Sequence, residues 1–326
     1  MIYEYAVDPE LVKHWVLTRD VGLAPQFGMD HRRLVSDVAN DWEGQVYSAL
    51  WTHFDFDDTT PDFVDAYQFM MGLMEFLRQG PHRGGTRTAQ PWMEQVLHVH
   101  RQEPFHAILS SIPVPEFDAV ITPAVTSDLR NRRWYLPTID VTSKTSEALS
   151  SQLAPLLRLA NQIVLIDPYF KADKPEYREV FAALLRKALD TRAPDRAAPS
   201  VVLISGVADR ERAIAAIPRE EQLLNEAKNR CGMASERLGV AIPKGMAVTF
   251  KCVAAFSDGD QVHNRYLLTD VGGVCLPYGS HPTGERVFDD ITPLFEGQYR
   301  NRWRQYGKAD GLNVVGNTVV VQGLLE

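Results

Sequence analysis

Residues 141–326 are predicted to form an α/β domain, a mixed sheet with helices on both faces, and residues 1–140 a mainly helical region preceding it. Three observations predict this. Two continuous apolar runs, QIVLID at 162–167 and SVVLIS at 200–205, have the length of buried strands. They alternate with amphipathic stretches at 146–160 and 176–188, the pattern of a sheet covered by helices. Before residue 105, apolar residues instead recur at helical spacing. The chain has 326 residues, 45% of them hydrophobic and 23% charged, so two domains of ordinary globular composition are expected.

Taken in order, residues 30–50 (DHRRLVSDVANDWEGQVYSAL) read as a helix with Asp30 as its N-cap. Residues 62–77 read as a second, stopped by Gly80-Pro81, with Phe63, Tyr67, Met70 and Met74 as core rather than a cofactor box. Residues 90–101 make a third, with Pro91 near its start. Segments 105–112 and 117–125 lean towards strand and are punctuated by proline. The Thr- and Ser-rich stretch 137–146 reads as a domain boundary. Helices follow at 146–160, 176–188 and 210–238, the last interrupted at Pro218 and Gly232. Strands are expected at 162–167, 200–205, 247–256, 264–269 and 271–276.

Several classes are disfavoured. No apolar run reaches the roughly 18 residues of a membrane-spanning helix, and the first residues, MIYEYAVDPELVKHW, lack the basic-then-apolar order of a secretory signal. Cys231, Cys252 and Cys275 are odd in number and form no CxxC pair, which points to a reducing cytoplasm. Walker A, GxSxG and GxGxxG motifs are missing. His98 and His100 fall on different faces of a helix, so with His106 they make no chelating pair. Asp57-Asp58 and Asp289-Asp290 read as solvated loop acids, and neither a metal nor a cofactor is expected. A net charge of −8 argues against a whole-molecule clamp for nucleic acid. Local basic clusters at 82–87, 130–134 and 300–308 remain, and the last, with Arg300, Arg302 and Arg304, is a candidate backbone-tracking surface.

Strand ends are where open α/β sheets do chemistry, and two carry signals. Asp167-Pro168-Tyr169-Phe170 follows the first apolar run. His263-Asn264-Arg265-Tyr266-Leu267-Leu268-Thr269-Asp270 is followed by Gly272-Gly273 and Gly279-Ser280. On an extended chain positions two apart share a face, so His263 and Arg265 project together. An imidazole beside a guanidinium suits a phosphodiester: one attacks phosphorus or moves a proton, the other forks onto two oxygens. A turn at Asp270 would return the chain as a hairpin. Gly279-Ser280 would end the return strand, with a hydroxyl beside the phosphate.

This string, H-N-R-YLLT-D, resembles the HxK(x)4D motif of the phospholipase D superfamily, and the resemblance covers residues 146–306. It implies a phospholipase D-like fold, with His263 as the nucleophile that forms a phosphohistidine and Arg265 holding phosphate oxygens. It further implies a structural acidic role for Asp270 within the catalytic set and places Ser280 at the phosphate. The upstream strand ending in Asp167 and Tyr169 is similar to one early in many bacterial members, making these two further phosphate-side residues. Glu285 or Glu296 takes the acidic role behind the imidazole. With one motif per chain, a two-fold homodimer would supply the second histidine as general acid; His281 is a local alternative.

Two readings follow. One is a metal-independent phosphodiesterase, a nuclease, working as a dimer in a bacterial cytoplasm. Its N-terminal region would recruit a partner, by analogy an ATPase of a system against foreign DNA. The other is a degenerate module that binds a phosphate-bearing nucleic acid or lipid headgroup. Arg265 stands where the family has Lys, the spacing from Asp270 to Gly279 exceeds the family's, and the Asn of its G-S-x-N segment is missing. The HxR form is also similar to phospholipase D-like domains that bind rather than cleave, at the C-terminus of some microtubule-interacting-and-trafficking proteins.

Overall fold

The computed structural model describes residues 1–38, 41–55, 57, 59–77, 82–83, 91–137, 140–190, 192, 196–207, 219–254, 256–257, 260–261, 264–277, 284–308 and 312–326. Of residues 82–83, 126–127, 140, 219, 256–257, 260–261 and 284–286 it describes the backbone alone. The chain is mixed α/β and divides into two compact units. One comprises Ile2–Thr138 with Ala193–Arg196, the other Met1, Ile139–Arg192 and Ala197–Glu326. Among the described residues no helix is long and apolar enough to cross a membrane.

The N-terminal unit contains β1 (Tyr3–Val7), α1 (Pro9–Thr18), β2 (Arg33–Val35), β3 (Asp37–Val38), α2 (Trp42–His53), α3 (Pro61–Leu77), β4 (His82–Arg83), α4 (Trp92–Gln102), β5 (Ala107–Leu109) and β6 (Val120–Ile121). It is mainly helical, as expected, and it also holds a parallel sheet that was not expected, β2, β1, β5 and β6 in that order. Side-chain alternation along β1 sorts the helices. Tyr5 and Val7 join a core with Val12, Trp15 and Val16 of α1, Val46 and Leu50 of α2, and Phe63, Met70 and Met74 of α3. Ala6 points the other way, into a smaller cluster with Val96 of α4, Phe105 and Ile108. Tyr67 lies at the margin, stacked on Phe63 and 36% exposed.

The expected helix over 30–50 is therefore a correction. Its first part is strand, β2 and β3, and helix begins only at Trp42. All three residues of β2 are buried, and a strand covered on both faces shows no alternation to distinguish it from a helix turn.

The C-terminal unit contains β7 (Asp140–Lys144), α5 (Ser146–Leu159), β8 (Gln162–Ile166), α6 (Pro175–Asp190), β9 (Ser200–Val207), α7 (Arg219–Arg237), β10 (Ala247–Ala254), β11 (Phe256–Ser257), β12 (Asp260–Gln261), β13 (Tyr266–Thr269), β14 (Gly272–Cys275), β15 (Gly284–Pro293), α8 (Glu296–Arg302) and β16 (Val319–Gln322). Eight strands make one mixed sheet in the order β16-β10-β9-β8-β13-β14-β15-β7. The segment read as a boundary thus includes its edge strand, β7. Thr145 caps α5 by accepting the Ala148 N–H at 3.2 Å, with Glu147 in the first turn. Leu153, Leu156 and Leu157 of α5 and Phe181, Leu184 and Leu185 of α6 are buried, the apolar stripes that hold these two helices together.

Candidate functional site

Strand direction brings the two sequence signals together. β8 and β9 run parallel, whereas β13 is antiparallel to β8 with Tyr266 opposite Ile166. Residue 167, just beyond β8, therefore lies beside residue 265, just before β13. Asp167 is 1% exposed, and its Oδ1 stands 3.7 Å from Nε of Arg265. The turn at Asp167 is pinned from several directions. The Asp167 N–H donates to the Ile204 carbonyl at 3.0 Å, Oδ1 accepts the Tyr169 N–H at 3.0 Å, and Gly206 N–H donates to the Pro168 carbonyl at 3.1 Å. Gly206 is required there, since a Cβ would lie 2.9 Å from the Cβ of Pro168. Behind the turn, Arg230 of α7 donates to Ser205 Oγ at 2.8 Å and to the Phe170 carbonyl at 3.3 Å.

Arg265 is held in three ways. Besides Asp167, its Nη1 donates to the Pro277 carbonyl, and its guanidinium carbon lies 4.5 Å from the ring centroid of Tyr169. Tyr169 is itself 44% exposed. The guanidinium is thus fixed between a buried carboxylate and an accessible ring, at the carboxyl ends of the parallel strands.

Sequence reasoning missed Lys144 and Asp289. Lys144 ends β7 and is 5% exposed, and Asp289 of β15 is 2% exposed. Burial pulls the Lys144 ammonium below its ordinary pKa; Asp289 opposes this, Arg265 adds to it, and Asp167 opposes it. These four charges therefore share one electrostatic neighbourhood. The Cys275 thiol belongs to it too, pushed up by burial and by Asp289, and drawn down by Arg265 and Arg302. The Tyr177 phenol is raised by burial and then by Asp167. Reading Asp289-Asp290 as solvated loop acids is corrected for the first of the pair: Asp289 is a buried strand residue, and Asp290 is exposed.

Asp270 lies at the opposite end of β13, roughly 16 Å from Arg265 at extended-chain rise. There it accepts the Asn161 N–H at 2.8 Å, the Gln162 N–H at 3.1 Å and the Asn161 side-chain amide at 3.1 Å. It ties the β13–β14 turn to the start of β8 and does not meet Arg265. The three arginines also separate. Arg302 lies 5.5 Å over the ring of Tyr266, close enough to act on Cys275. Arg300 pairs with Glu296 one turn back on α8, and Arg304 donates to the Asn301 side chain at 3.2 Å. His263, Ser280, Gly279 and His281 lie outside the described residues, as does the side chain of Glu285.

Among the described residues no three His, Cys, Asp or Glu side chains are grouped to hold a metal ion. The histidines singled out earlier have separate partners. His98 meets the Gln102 side chain, His100 accepts the Phe105 N–H at 3.1 Å, and His106 packs on Tyr3. Asp57 accepts from the backbone and hydroxyl of Thr59, and Asp58 lies outside the described residues.

The chain matches no protein-family model, no curated protein and no solved structure.

Proposed function

We propose that this chain is a phosphodiesterase of nuclease type, acting without a metal ion through His263, as a homodimer in the cytoplasm. The observation that supports it is the pair of cations, Arg265 and Lys144, both largely buried at the same end of the eight-stranded sheet. Open α/β sheets hold their ligands there, and residue 263 stands two positions upstream of Arg265. In the proposed reaction the His263 imidazole nitrogen attacks phosphorus and the bond to the leaving oxygen breaks. The second copy's histidine gives that oxygen its proton, and water then cleaves the phosphohistidine. Arg265 and Lys144 attract the phosphate and offset the charge that gathers on its oxygens. Ser280 is assigned to the same phosphate by the motif, and recruitment to an ATPase partner is assigned to the N-terminal unit.

A second reading has its own support. Two of the Arg265 donors are already directed at Asp167 and the Pro277 carbonyl, which suits a site that holds a phosphate group without turning it over. Labelled single- and double-stranded DNA incubated in EDTA with the wild type and with His263→Ala distinguishes the two. Cleavage that disappears in the variant supports the enzyme. Equal binding by both proteins with no cleavage supports the binding module, and cleavage that survives in His263→Ala overturns both.

A further inference from the structure

The loop between β8 and α6 carries more than Tyr169. It is built from two successive turns, closed by the Phe170 N–H on the Asp167 carbonyl at 3.0 Å and by the Lys174 N–H on the Lys171 carbonyl at 3.1 Å. Side chains from three elements fix it. Ser205 Oγ and Arg230 Nη1 donate to the Phe170 carbonyl at 3.1 and 3.3 Å, and Arg178 Nη1 donates to the Ala172 carbonyl at 2.7 Å. The Phe170 ring packs edge-on against Tyr177 and Phe181. The loop therefore has its shape before a ligand arrives. Between it, α7 and Phe250 of β10 lies a cavity of about 450 Å³, a volume within the range of ligand sites. Tyr169 lines this cavity and also stacks on Arg265, so the cavity adjoins the proposed phosphate site.

The accessible groups of the lining specify the occupant. Its apolar side chains that reach solvent are Tyr169 and Met233; Phe170 and Phe250 are buried behind them. Lys171 and Lys174 are exposed at the two ends of one turn, and among the described residues no ion pair engages either ammonium. Arg230 differs, because Glu226 holds its Nε at 2.9 Å and the loop takes its Nη1. The two lysines are thus the cations left for a ligand, with Asp173 on the same turn offsetting part of their charge. An accessible ring beside a phosphate site, followed by free cations, suits a single-stranded nucleic acid, whose bases stack on aromatic rings while cations follow its backbone. A duplex keeps its bases inside the stack and offers none to a cavity. An acyl chain needs an apolar channel, whereas five of the eleven lining residues are charged.

We propose that the phosphate-bearing ligand of the Arg265 site is a single-stranded nucleic acid, that the nucleotide adjoining that phosphate sits in this cavity with its base against Tyr169 and Met233, and that Lys171 and Lys174 hold the phosphate beyond. This rests on a phosphate being held at Arg265, which both readings above share.

The test is fluorescence anisotropy of a labelled oligothymidylate, alone and annealed to oligoadenylate, with the full chain carrying His263→Ala in EDTA. The single strand binds about tenfold more tightly than the duplex. Tyr169→Leu keeps an apolar side chain, removes the ring and weakens single-strand binding about tenfold, whereas Tyr169→Phe keeps the ring and stays within about twofold. Lys171→Gln with Lys174→Gln weakens it about fivefold and leaves the pair of Tyr169 and Arg265 as it is. All three positions are exposed, and thermal melting of each variant confirms that its fold is intact. The proposal is overturned if the single strand does not bind at low salt, if the duplex binds as tightly, or if Tyr169→Leu and the double lysine variant both bind like the parent. Displacement of the single strand by vesicles containing phosphatidylglycerol overturns it in favour of a lipid. Cleavage by the wild type is scored separately: a chain that binds as stated without cleaving keeps its single-stranded ligand and loses the nuclease reading, and one that cleaves while the variants bind like the parent does the reverse.

Discussion

Arg265 and Asp8 show how single buried charges are set by what surrounds them. Arg265 faces a carboxylate that is 1% exposed, so removing the guanidinium leaves that carboxylate without its nearby cation in a low-dielectric setting. Arg265→Met is expected to destabilise the fold by about 3 kcal/mol. Arg265→Lys keeps the charge but loses the fork to the Pro277 carbonyl and the stacking on Tyr169, an expected loss of about 1 kcal/mol. Urea unfolding measures both, and equal losses would mean that geometry rather than charge holds the turn. Asp8 makes the pH prediction. Burial raises its carboxyl above the ordinary 3.8 despite hydrogen bonds from Ser110 and the Glu10 backbone. Between 3.8 and that raised value the folded chain holds more protons on Asp8 than the unfolded chain does. The stability this group contributes is therefore complete below 3.8 and is lost as pH rises through the raised value. Asp8→Asn keeps an acceptor for the cap and removes the titration. The stability of the wild type minus that of Asp8→Asn should fall as pH rises through the window, and a flat or rising difference contradicts the assignment.

At the scale of elements, strand β13 separates two roles that one motif combines. Arg265 precedes it and joins the charge cluster, whereas Asp270 follows it and accepts three hydrogen bonds that fasten the β13–β14 turn to the start of β8. Asp270→Ala is expected to cost about 1–2 kcal/mol while leaving phosphate binding per folded molecule within a factor of two; unfolding and binding measured on one preparation separate these effects. A tenfold loss of binding with stability intact would place Asp270 in the site after all. The same contrast explains what the sequence made legible. β8 and β9 were readable because QIVLI and SVVLI are continuous apolar runs of strand length flanked by amphipathic helices. β1 and β2 were not, since Arg33-Leu34-Val35 is fully buried in a parallel sheet and shares its pattern with one turn of helix. In the site, Arg265 and Asp167 were visible as strand-end residues. Lys144 and Asp289 were not, because they reach the cluster only through the pairing of β7 with β15 and of β15 with β14, contacts between distant parts of the chain that no local pattern encodes.

For the whole molecule the governing quantity is charge. The chain carries 42 acidic and 34 basic side chains, a net −8, so its mean field repels a polyanion and any affinity for nucleic acid comes from local cations. At the proposed phosphate site these are Arg265, Lys144 and Arg302. Lys144 and Arg265 are largely buried among carboxylates, so their charge is partly offset before a phosphate arrives. Each phosphate neutralised on a single strand releases counterions and contributes about −0.7 to the slope of log K against log salt. Three cations then give a slope of about −2, far shallower than that of a protein that tracks the backbone with a long basic stripe. Arg302→Ala should flatten the slope by about 0.7, whereas Arg300→Ala should leave it nearly unchanged, because Arg300 is paired with Glu296 on its own helix. Fluorescence anisotropy of a labelled oligonucleotide across a salt series measures all three slopes on the uncleaving His263→Ala background. Equal flattening by both substitutions would show that the whole basic helix end, rather than the Arg302 edge of the cluster, carries the nucleic acid. A wild-type slope much steeper than −2 would mean that binding runs across a surface other than this site.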